Sequence, residues 1–194
     1  LSFVIGVQQP FQKLFFIVLY QRRPVLQTGE DIGVKHIIAD VVHGALACAL
    51  PVLAAMVVAI NRLLTVWESS VRATHLFLSD SEIKKIKEYV PQALIGIAHL
   101  MIAEDDRGCP VAFMGIEDGT LEMLFISPEE RGKGLGKRLL QYGIKTYAVE
   151  RVAVNEQNPQ AKGFYEHLGF QVYKRTDLDE QGNPYPLLYM SLNI

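Results

Sequence analysis

Cysteine is scarce in this sequence, and neither sign of charge is in large excess. Among 194 residues only Cys48 and Cys109 carry a thiol, which excludes a disulfide framework and a cysteine-based metal cluster. The 19 Lys and Arg residues are set against 21 Asp and Glu, and the formal net charge of −2 gives no electrostatic basis for binding nucleic acid. We therefore expect a protein of a reducing, cytoplasmic compartment that uses neither a metal ion nor a nucleic-acid partner.

Charge is also nearly missing from the first part of the chain. Only seven charged residues lie among the first 61, and none lies in the stretch 41–61. About 20 apolar residues can span a bilayer, so membrane contact through residues 41–61 is one interpretation. A buried helix or strand is favoured instead, because the stretch is rich in alanine, which is only weakly hydrophobic. We assign no chemistry to residues 1–51 and expect the functional domain to occupy residues 52–194.

From residue 62 onward, the spacing of apolar residues predicts regular elements. Apolar side chains at helical spacing predict helices, and short apolar runs bounded by turn residues predict strands. The predicted helices are 62–74, 80–93, 134–147 and 159–168, and the predicted strands are 99–104, 111–116, 121–126, 151–154, 170–175 and 186–192. Two helices, three strands and then helices interleaved with strands indicate an α/β (α+β) sheet protein.

One glycine-rich stretch carries the clearest chemical signal. Residues 124–137 read Leu-Phe-Ile-Ser-Pro-Glu-Glu-Arg-Gly-Lys-Gly-Leu-Gly-Lys, which places a strand, a loop and a helix start in succession. Backbone N–H groups at a helix N-terminus bind anions, glycine lets a phosphate approach closely, and Arg131 and Lys133 add positive charge. The dinucleotide motif does not fit because Leu139 stands at its third glycine, and the P-loop does not fit because Arg138 follows Lys137. A phosphate site and a plain tight turn both remain open on this loop alone.

A second stretch follows about twenty residues later. Residues 154–170 read Val-Asn-Glu-Gln-Asn-Pro-Gln-Ala-Lys-Gly-Phe-Tyr-Glu-His-Leu-Gly-Phe. Together the two stretches resemble the GNAT superfamily of acetyl-CoA-dependent N-acetyltransferases, whose patterns Arg/Gln-x-x-Gly-x-Gly/Ala and Asn-x-x-Ala-x-x-Phe-Tyr-x-x-x-Gly-Phe are filled at every position. The resemblance runs from about residue 62 to the end of the sequence and is similar in detail to a bacterial subgroup of mostly unassigned substrate.

The resemblance implies a fold and a co-substrate. The GNAT fold has a central mixed, mostly antiparallel sheet with flanking helices, in which two neighbouring parallel strands, here 121–126 and 151–154, diverge. Acetyl-CoA would bind with its pyrophosphate on the glycine-rich loop and its pantetheine along the first diverging strand, and no metal is implied. The cofactor-binding residues would be Leu124, Phe125, Ile126, Arg131, Gly132, Lys133, Gly134, Leu135, Gly136, Lys137, Asn158 and Tyr165.

The resemblance also implies which residues move protons. Tyr165 matches the family's frequent general acid, since a phenol with a pKa near 10 can donate to a leaving thiolate; a core tyrosine is the alternative. Glu122 matches the frequent general base, and a carboxyl group in an otherwise apolar strand would have a raised pKa; an exposed strand-end glutamate is the alternative. His75 could serve as the base instead, because histidine titrates in the useful range, or it could be an ordinary loop residue.

Three further side chains are candidates for the site. Asn158 matches a cofactor contact of the family and could also cap the helix that starts at Pro159. Asp177 and Tyr185, in the last predicted hairpin, could line the acceptor pocket or serve the turn. The family's first strand precedes Trp67 by about fifteen residues, and Val52–Ile60 could supply it, in which case the first 61 residues contribute at most that one strand.

We therefore predict an enzyme that transfers an acetyl group from acetyl-CoA to a primary amine by direct attack. The acceptor is a small-molecule amine or a peptide, and a homodimer is left open. The alternative is a non-catalytic acyl-CoA-binding sensor or interaction module of the same fold.

Overall fold

The computed structural model describes residues 17–21, 34–40 and 49–192, and the side chains of residues 54–192. The strands are β1 (Ile17–Gln21), β2 (Val34–Asp40), β3 (His99–Glu104), β4 (Pro110–Glu117), β5 (Thr120–Ile126), β6 (Arg151–Asn155), β7 (Gln171–Thr176) and β8 (Leu187–Ser191). The helices are α1 (Ala49–Thr74), α2 (Asp80–Lys87), α3 (Val90–Gly96), α4 (Leu135–Tyr147) and α5 (Pro159–His167). A short 3-10 turn lies at Pro128–Glu130.

The described strands form one mixed sheet in the order β1-β2-β3-β4-β5-β6-β8-β7. Each neighbouring pair is antiparallel except β5 and β6, which run parallel. The parallel pairing covers only Thr120 with Arg151 and Leu121 with Val152. The predicted mixed, mostly antiparallel sheet with a diverging parallel pair is therefore confirmed.

Helices cover both faces of the sheet, as predicted. On one face, Leu139 and Leu140 of α4 and Tyr165 of α5 pack in a cluster with Met114 of β4. On the other face, α1, α2 and α3 pack on the sheet through a cluster that includes Trp67, Ile83, Leu94 and Phe113. The strands β4 and β5 lie between the two clusters.

The first long helix corrects two expectations. Val52–Ile60 does not form a strand but belongs to α1, which begins at Ala49 instead of residue 62. Alanine has the highest helix propensity, and Pro51 lies in the first turn, where its missing N–H costs little. The strand beside β3 is instead β2, and β1 pairs with β2, so two strands from the first 61 residues join the sheet where at most one was expected.

The same helix bears on the expected boundary and on the apolar stretch. Helix α1 runs without a break across the boundary expected after residue 51, and that boundary remains a prediction. Residues 41–48 of the uncharged stretch lie outside the described residues. Within the described ranges, no helix combines the length and the hydropathy that a bilayer crossing requires.

The predicted helix 80–93 is wrong as a single element. It is two helices, α2 and α3, because Pro91 lies at the start of α3 and has no N–H with which to continue the hydrogen bonds of α2. Helix α2 begins with a capping box, in which the Ser79 side chain accepts from the Glu82 N–H and the Glu82 carboxylate accepts from the Ser79 N–H.

Candidate active site

The divergence of β5 and β6 opens the site. Beyond Leu121 and Val152, β5 stays paired with β4 as far as Ile126, whereas its pairing with β6 has ended. The backbone of residues 124–126 therefore presents hydrogen-bonding groups to a gap between two strands. Two cavities open along this gap, a larger one of about 400 Å³ and a smaller one of about 80 Å³. Both are lined by His75, Leu124, Phe125, Asn158, Ala161 and Tyr165, so they adjoin each other.

The larger cavity collects nearly all of the predicted cofactor-binding residues. It is lined by Leu124, Phe125, Ile126, Arg131, Gly132, Gly134, Leu135, Gly136, Lys137, Asn158 and Tyr165. Lys133 is absent from this lining; its Nζ pairs at 3.0 Å with Oε1 of Glu130, which itself lines the cavity. Residues that the sequence patterns did not identify as site residues also line it, among them Ser70 and Thr74 of α1 and Phe164 of α5. The spacing of Ser70 and Thr74, one helical turn apart on a stripe that leads to His75, is the signal that could have identified them.

Glycine shapes the loop that closes one end of this cavity. Gly132 and Gly134 have φ angles of +77° and +80°, which other residues adopt at a cost. Gly134 caps α4 without any side-chain hydrogen bond, and Arg138 donates the first helical bond to the Gly134 carbonyl at 3.1 Å. The amides that precede Arg138 in α4 are thus free of a capping side chain at the positive end of the helix, where an anion binds well.

Two contacts hold the loop in place against its neighbours. Arg131 donates to Gln160 Oε1 at 2.7 Å and so ties the loop to α5. A Cβ on Gly136 would stand 2.9 Å from Ile126 Cδ1 and 3.3 Å from Phe164 Cζ, so α4 approaches β5 and α5 as closely as a glycine allows. The loop is therefore held between β5 and α5, with Arg131 and Lys137 in the lining of the cavity beside its backbone amides.

Tyr165 lies where the two cavities meet. Its ring is 6% exposed and packs edge-on against Phe164 and Phe170, with centroids 5.0 and 5.7 Å away. Burial raises the pKa of its phenol above the ordinary value. The hydroxyl is therefore protonated at neutral pH and available as a proton donor in the site.

Glu122 lies in the smaller cavity, on an irregularity of β5. Gly115 pairs with Met123 and Ile116 with Leu121, so Glu122 is the extra residue of a β-bulge, a device that redirects side chains at functional sites. Its Oε2 is buried and has no hydrogen-bond partner among the described residues. Burial, and then the charges of Glu180 and Glu117, raise the pKa of its carboxyl group to about 7. The carboxyl group can therefore accept a proton near neutral pH.

His75 lies in the lining of both cavities and is buried, unlike an ordinary loop histidine. Its Nδ1 is 2.7 Å from Thr74 Oγ1, and its ring contacts Phe77 edge-on at 5.5 Å. Burial lowers its pKa to about 3. A base with so low a pKa holds a proton poorly at neutral pH, so of the two base candidates Glu122 is better suited to accept a proton.

The remaining candidates divide between the cavities and the surface. Asn158 lines both cavities, and its Oδ1 also caps α5 by accepting from the Ala161 N–H at 3.1 Å, so the two readings of this residue are compatible. Asp177 is exposed and pairs with Arg175 at 2.5 Å. Tyr185 donates its hydroxyl hydrogen bond to Glu82. Neither Asp177 nor Tyr185 lines either cavity.

The mixed sheet with its diverging parallel pair, and the cavity that runs from that gap to the glycine-rich loop, match the architecture expected for an acyltransferase. Residues 96–172 match the model of the acetyltransferase (GNAT) domain. The chain is 41% identical over 128 residues to the peptidyl-lysine N-acetyltransferase YjaB of Salmonella typhimurium strain LT2, covering 66% of this chain and 88% of that protein. It is 38% identical over 131 residues to YjaB of Escherichia coli K12, covering 68% and 88%.

A solved structure resembles the fold as well. The solution structure of apo-form YjaB from Escherichia coli superimposes with a TM-score of 0.61 at 38% identity, over 67% of this chain and 88% of that one. The chain belongs to the GNAT acetyltransferase family, and it is an N-acetyltransferase. Among the described residues, no group of three His, Cys, Asp or Glu side chains is placed to hold a metal ion.

Proposed function

We propose that this chain transfers the acetyl group of acetyl-CoA to the ε-amine of lysine in a peptide or protein. The observation that carries the proposal is the bulged Glu122, whose partly buried carboxyl group, with Oε2 fully enclosed, shares the smaller cavity with Tyr165. A carboxyl group there suits an acceptor that arrives as a cation and must lose protons before it attacks. The names of the two relatives, which act on peptidyl-lysine, support the same acceptor.

The larger cavity fits acetyl-CoA by the chemistry of its lining. The uncapped amides at the start of α4, together with Arg131 and Lys137, suit a pyrophosphate. The free edge of β5 at residues 124–126 suits the amide groups of pantetheine. When bound, acetyl-CoA supplies the acetyl group as an activated thioester.

Glu122 and Tyr165 then divide the proton transfers between them. A carboxyl group with a pKa near 7 is largely ionised just above neutral pH, and it accepts a proton from the incoming ammonium group. Tyr165, held in its neutral form by burial, donates its hydroxyl proton to the departing sulfur, and the excess proton that remains on the attacking nitrogen restores the phenol as the amide forms. Glu122 then releases its proton to solvent. Backbone N–H groups along residues 124–126 are available to stabilise the oxyanion.

The test is acetylation of a defined peptide. The purified chain is incubated with acetyl-CoA and a peptide with a blocked N-terminus and a single lysine, and a matched peptide with arginine at that position serves as the control. We expect thiol release, together with a mass gain of one acetyl group on the lysine peptide alone. Acetylation confined to free α-amines or to small amines would overturn the proposed acceptor. Binding of acetyl-CoA without thiol release on any amine would favour the non-catalytic alternative.

A further inference from the structure

The loop between β7 and β8, residues 177–186, is held in shape by its own hydrogen bonds. Asp179 Oδ1 accepts from the N–H groups of Gln181 and Asn183 at 2.9 and 2.8 Å. At the base of the loop, Thr176 Oγ1 donates to the Leu178 carbonyl at 2.8 Å. The β7–β8 loop therefore has a defined conformation before any substrate arrives.

Tyr185 joins this loop to the helical layer. Its hydroxyl donates to Glu82 Oε1, a residue 103 positions earlier in the chain. Glu82 also accepts from Ser79 in the capping box of α2, and the hydrogen bonds from Ser79 and Tyr185 lower its pKa to about 2. Glu82 is therefore charged throughout the useful pH range, and hydrogen bonds to an ionised group are stronger than neutral ones.

Two chains of contacts connect the loop to the lining of the smaller cavity, one through Phe77 and one through Tyr189. On one side, the Tyr185 ring contacts Phe77, which contacts His75 of the cavity lining, with 5.5 Å between centroids at each step. On the other side, Tyr189 donates to Glu180 of the loop at 3.3 Å and pairs across the sheet with Ala153, another residue of the lining. The negative charge of Glu180 also raises the pKa of the Glu122 carboxyl group.

We propose that Glu82 and Tyr185 form a latch that holds the β7–β8 loop against the helical layer, beside the smaller cavity, whose lining includes no residue of the loop. Both are positioning residues, because neither lines a cavity and each acts through the loop and Phe77. The inference rests on the proposed function, since it places the acceptor peptide beside this loop. It sharpens the sequence-based expectation for Tyr185, which contributes to acceptor binding without contacting the acceptor.

The structure supplies variants that separate the latch from the stability of α2. Glu82→Gln keeps the capping box, which accepts glutamine at that position, but removes the charge that strengthens the bond to Tyr185. Tyr185→Phe removes the hydroxyl group and keeps the ring on Phe77. Ser79→Ala would remove a hydrogen bond to Glu82 itself, so the matched control is Glu88→Gln, which removes a carboxylate at an exposed position directly after α2 and leaves both latch residues intact.

The first measurement is the KM of each substrate in steady-state assays with the lysine peptide. Tyr185→Phe removes a hydrogen bond to a charged group and should raise the acceptor KM about tenfold, whereas Glu82→Gln weakens the same bond and should raise it about threefold, with the acetyl-CoA KM within about twofold of wild type in both. The double variant should be no worse than Tyr185→Phe, because that change already removes the bond. Glu88→Gln should leave both KM values in place.

The second measurement is cleavage of the loop by a protease specific for acidic residues, without substrates. Both latch variants should be cut faster than wild type and Glu88→Gln at Asp177, Asp179 or Glu180. Faster cleavage supports the latch even where no lysine peptide is acetylated, and in that case only the proposed acceptor fails. Unchanged cleavage, or an unchanged acceptor KM in an enzyme that acetylates the peptide, overturns the latch.

Discussion

The two ends of the active site are built in different ways. The proposed acetyl-CoA end, from the free edge of β5 through the glycine-rich loop to α5, comes mostly from one continuous stretch, residues 124–168, and relies on backbone groups and close packing. The proposed acceptor end combines His75 and Glu122 of the cavity lining with the nearby Glu82 and Tyr185, which stand on separate parts of the chain. Its properties depend on individual side chains and their charges.

This difference predicts how each end responds to change. A site made of backbone amides is disturbed when the backbone is moved, for example by an added methyl group at a close contact. A site made of distant side chains is disturbed when one charge or hydroxyl group is lost, with little effect on the other end. The variants below test this separation, from the largest expected effect to the smallest.

Tyr165→Phe should have the largest effect, because Tyr165 lies at the junction of the two ends. Loss of a general acid typically costs 10² to 10⁴ in rate, and we expect kcat to fall by about 10² to 10³. Calorimetric titration should show acetyl-CoA affinity within about threefold of wild type, since the ring that packs on Phe164 and Phe170 is retained. Tyr173→Phe, at an exposed tyrosine of β7, is the matched control. A kcat close to that of wild type would show that water or another donor protonates the leaving group.

Glu122→Gln should lower activity and raise stability at the same time. Steady-state kinetics should show kcat/KM reduced by roughly 10 to 100-fold, with the rise of the wild-type pH–rate profile near pH 7 abolished. The folded pKa of about 7 lies above the unfolded value of 4.5, so the folded state holds a proton that the unfolded state has released between these values. Wild-type stability should therefore fall as pH rises through this window.

The stability half of this prediction is measured by thermal unfolding. At about pH 8 the variant should be more stable than wild type by about 1 to 2 kcal/mol, a figure reduced from the full shift because the carboxyl group is only partly buried. At about pH 4 the two proteins should differ little. Glu88→Gln, at an exposed position after α2, controls for the loss of a surface charge. Equal stability at both pH values would mean that the Glu122 carboxylate is better solvated than its burial indicates.

Gly136→Ala tests the backbone-built end. The added Cβ would come within 2.9 Å of Ile126 Cδ1, so the start of α4 must shift away from β5. We expect the acetyl-CoA KM to rise about three- to tenfold and the free energy of unfolding to fall by about 1 kcal/mol, with the acceptor KM near the wild-type value. Gly163→Ala in α5 is the control, because its Cβ would meet nothing within 4 Å and alanine favours the helix. A rise in the acceptor KM alone would contradict the expected independence of the two ends of the site.

Sequence patterns predicted the two ends unequally, for the same physical reason. The glycine-rich loop and the Asn158 to Phe170 stretch could be interpreted from sequence because spacing along one segment fixes their geometry, and the diverging strands followed from the family resemblance. Glu82 gave no comparable signal, because its partner Tyr185 is 103 residues away and only the folded sheet brings them together. Val52–Ile60 was misassigned as a strand because a short apolar run does not reveal whether its backbone is helical or extended.

His75→Gln should have the smallest effect on catalysis, although His75 lines both cavities. With a folded pKa of about 3 the imidazole is neutral throughout an ordinary assay range, so its protonation takes no part in the pH–rate profile. We expect kcat within about threefold of wild type and the rise near pH 7 to stay in place, because it belongs to Glu122.

The same substitution should change how stability depends on pH. The folded pKa of His75 lies below its unfolded value of 6.5. The contribution of His75 to the free energy of unfolding is therefore complete above pH 6.5 and is lost as pH falls toward 3. Thermal unfolding of His75→Gln should show a shallower loss of stability in acid, measured against a control at a buried residue, Ser70→Ala, in the helix α1 that ends just before His75. If the rise of the pH–rate profile near pH 7 instead moves or vanishes in His75→Gln, the proton acceptor is His75 and not the carboxyl group of Glu122. The acceptor end would then depend on a residue next to the helical layer, and the latch that holds Phe77 against His75 would act directly on the base.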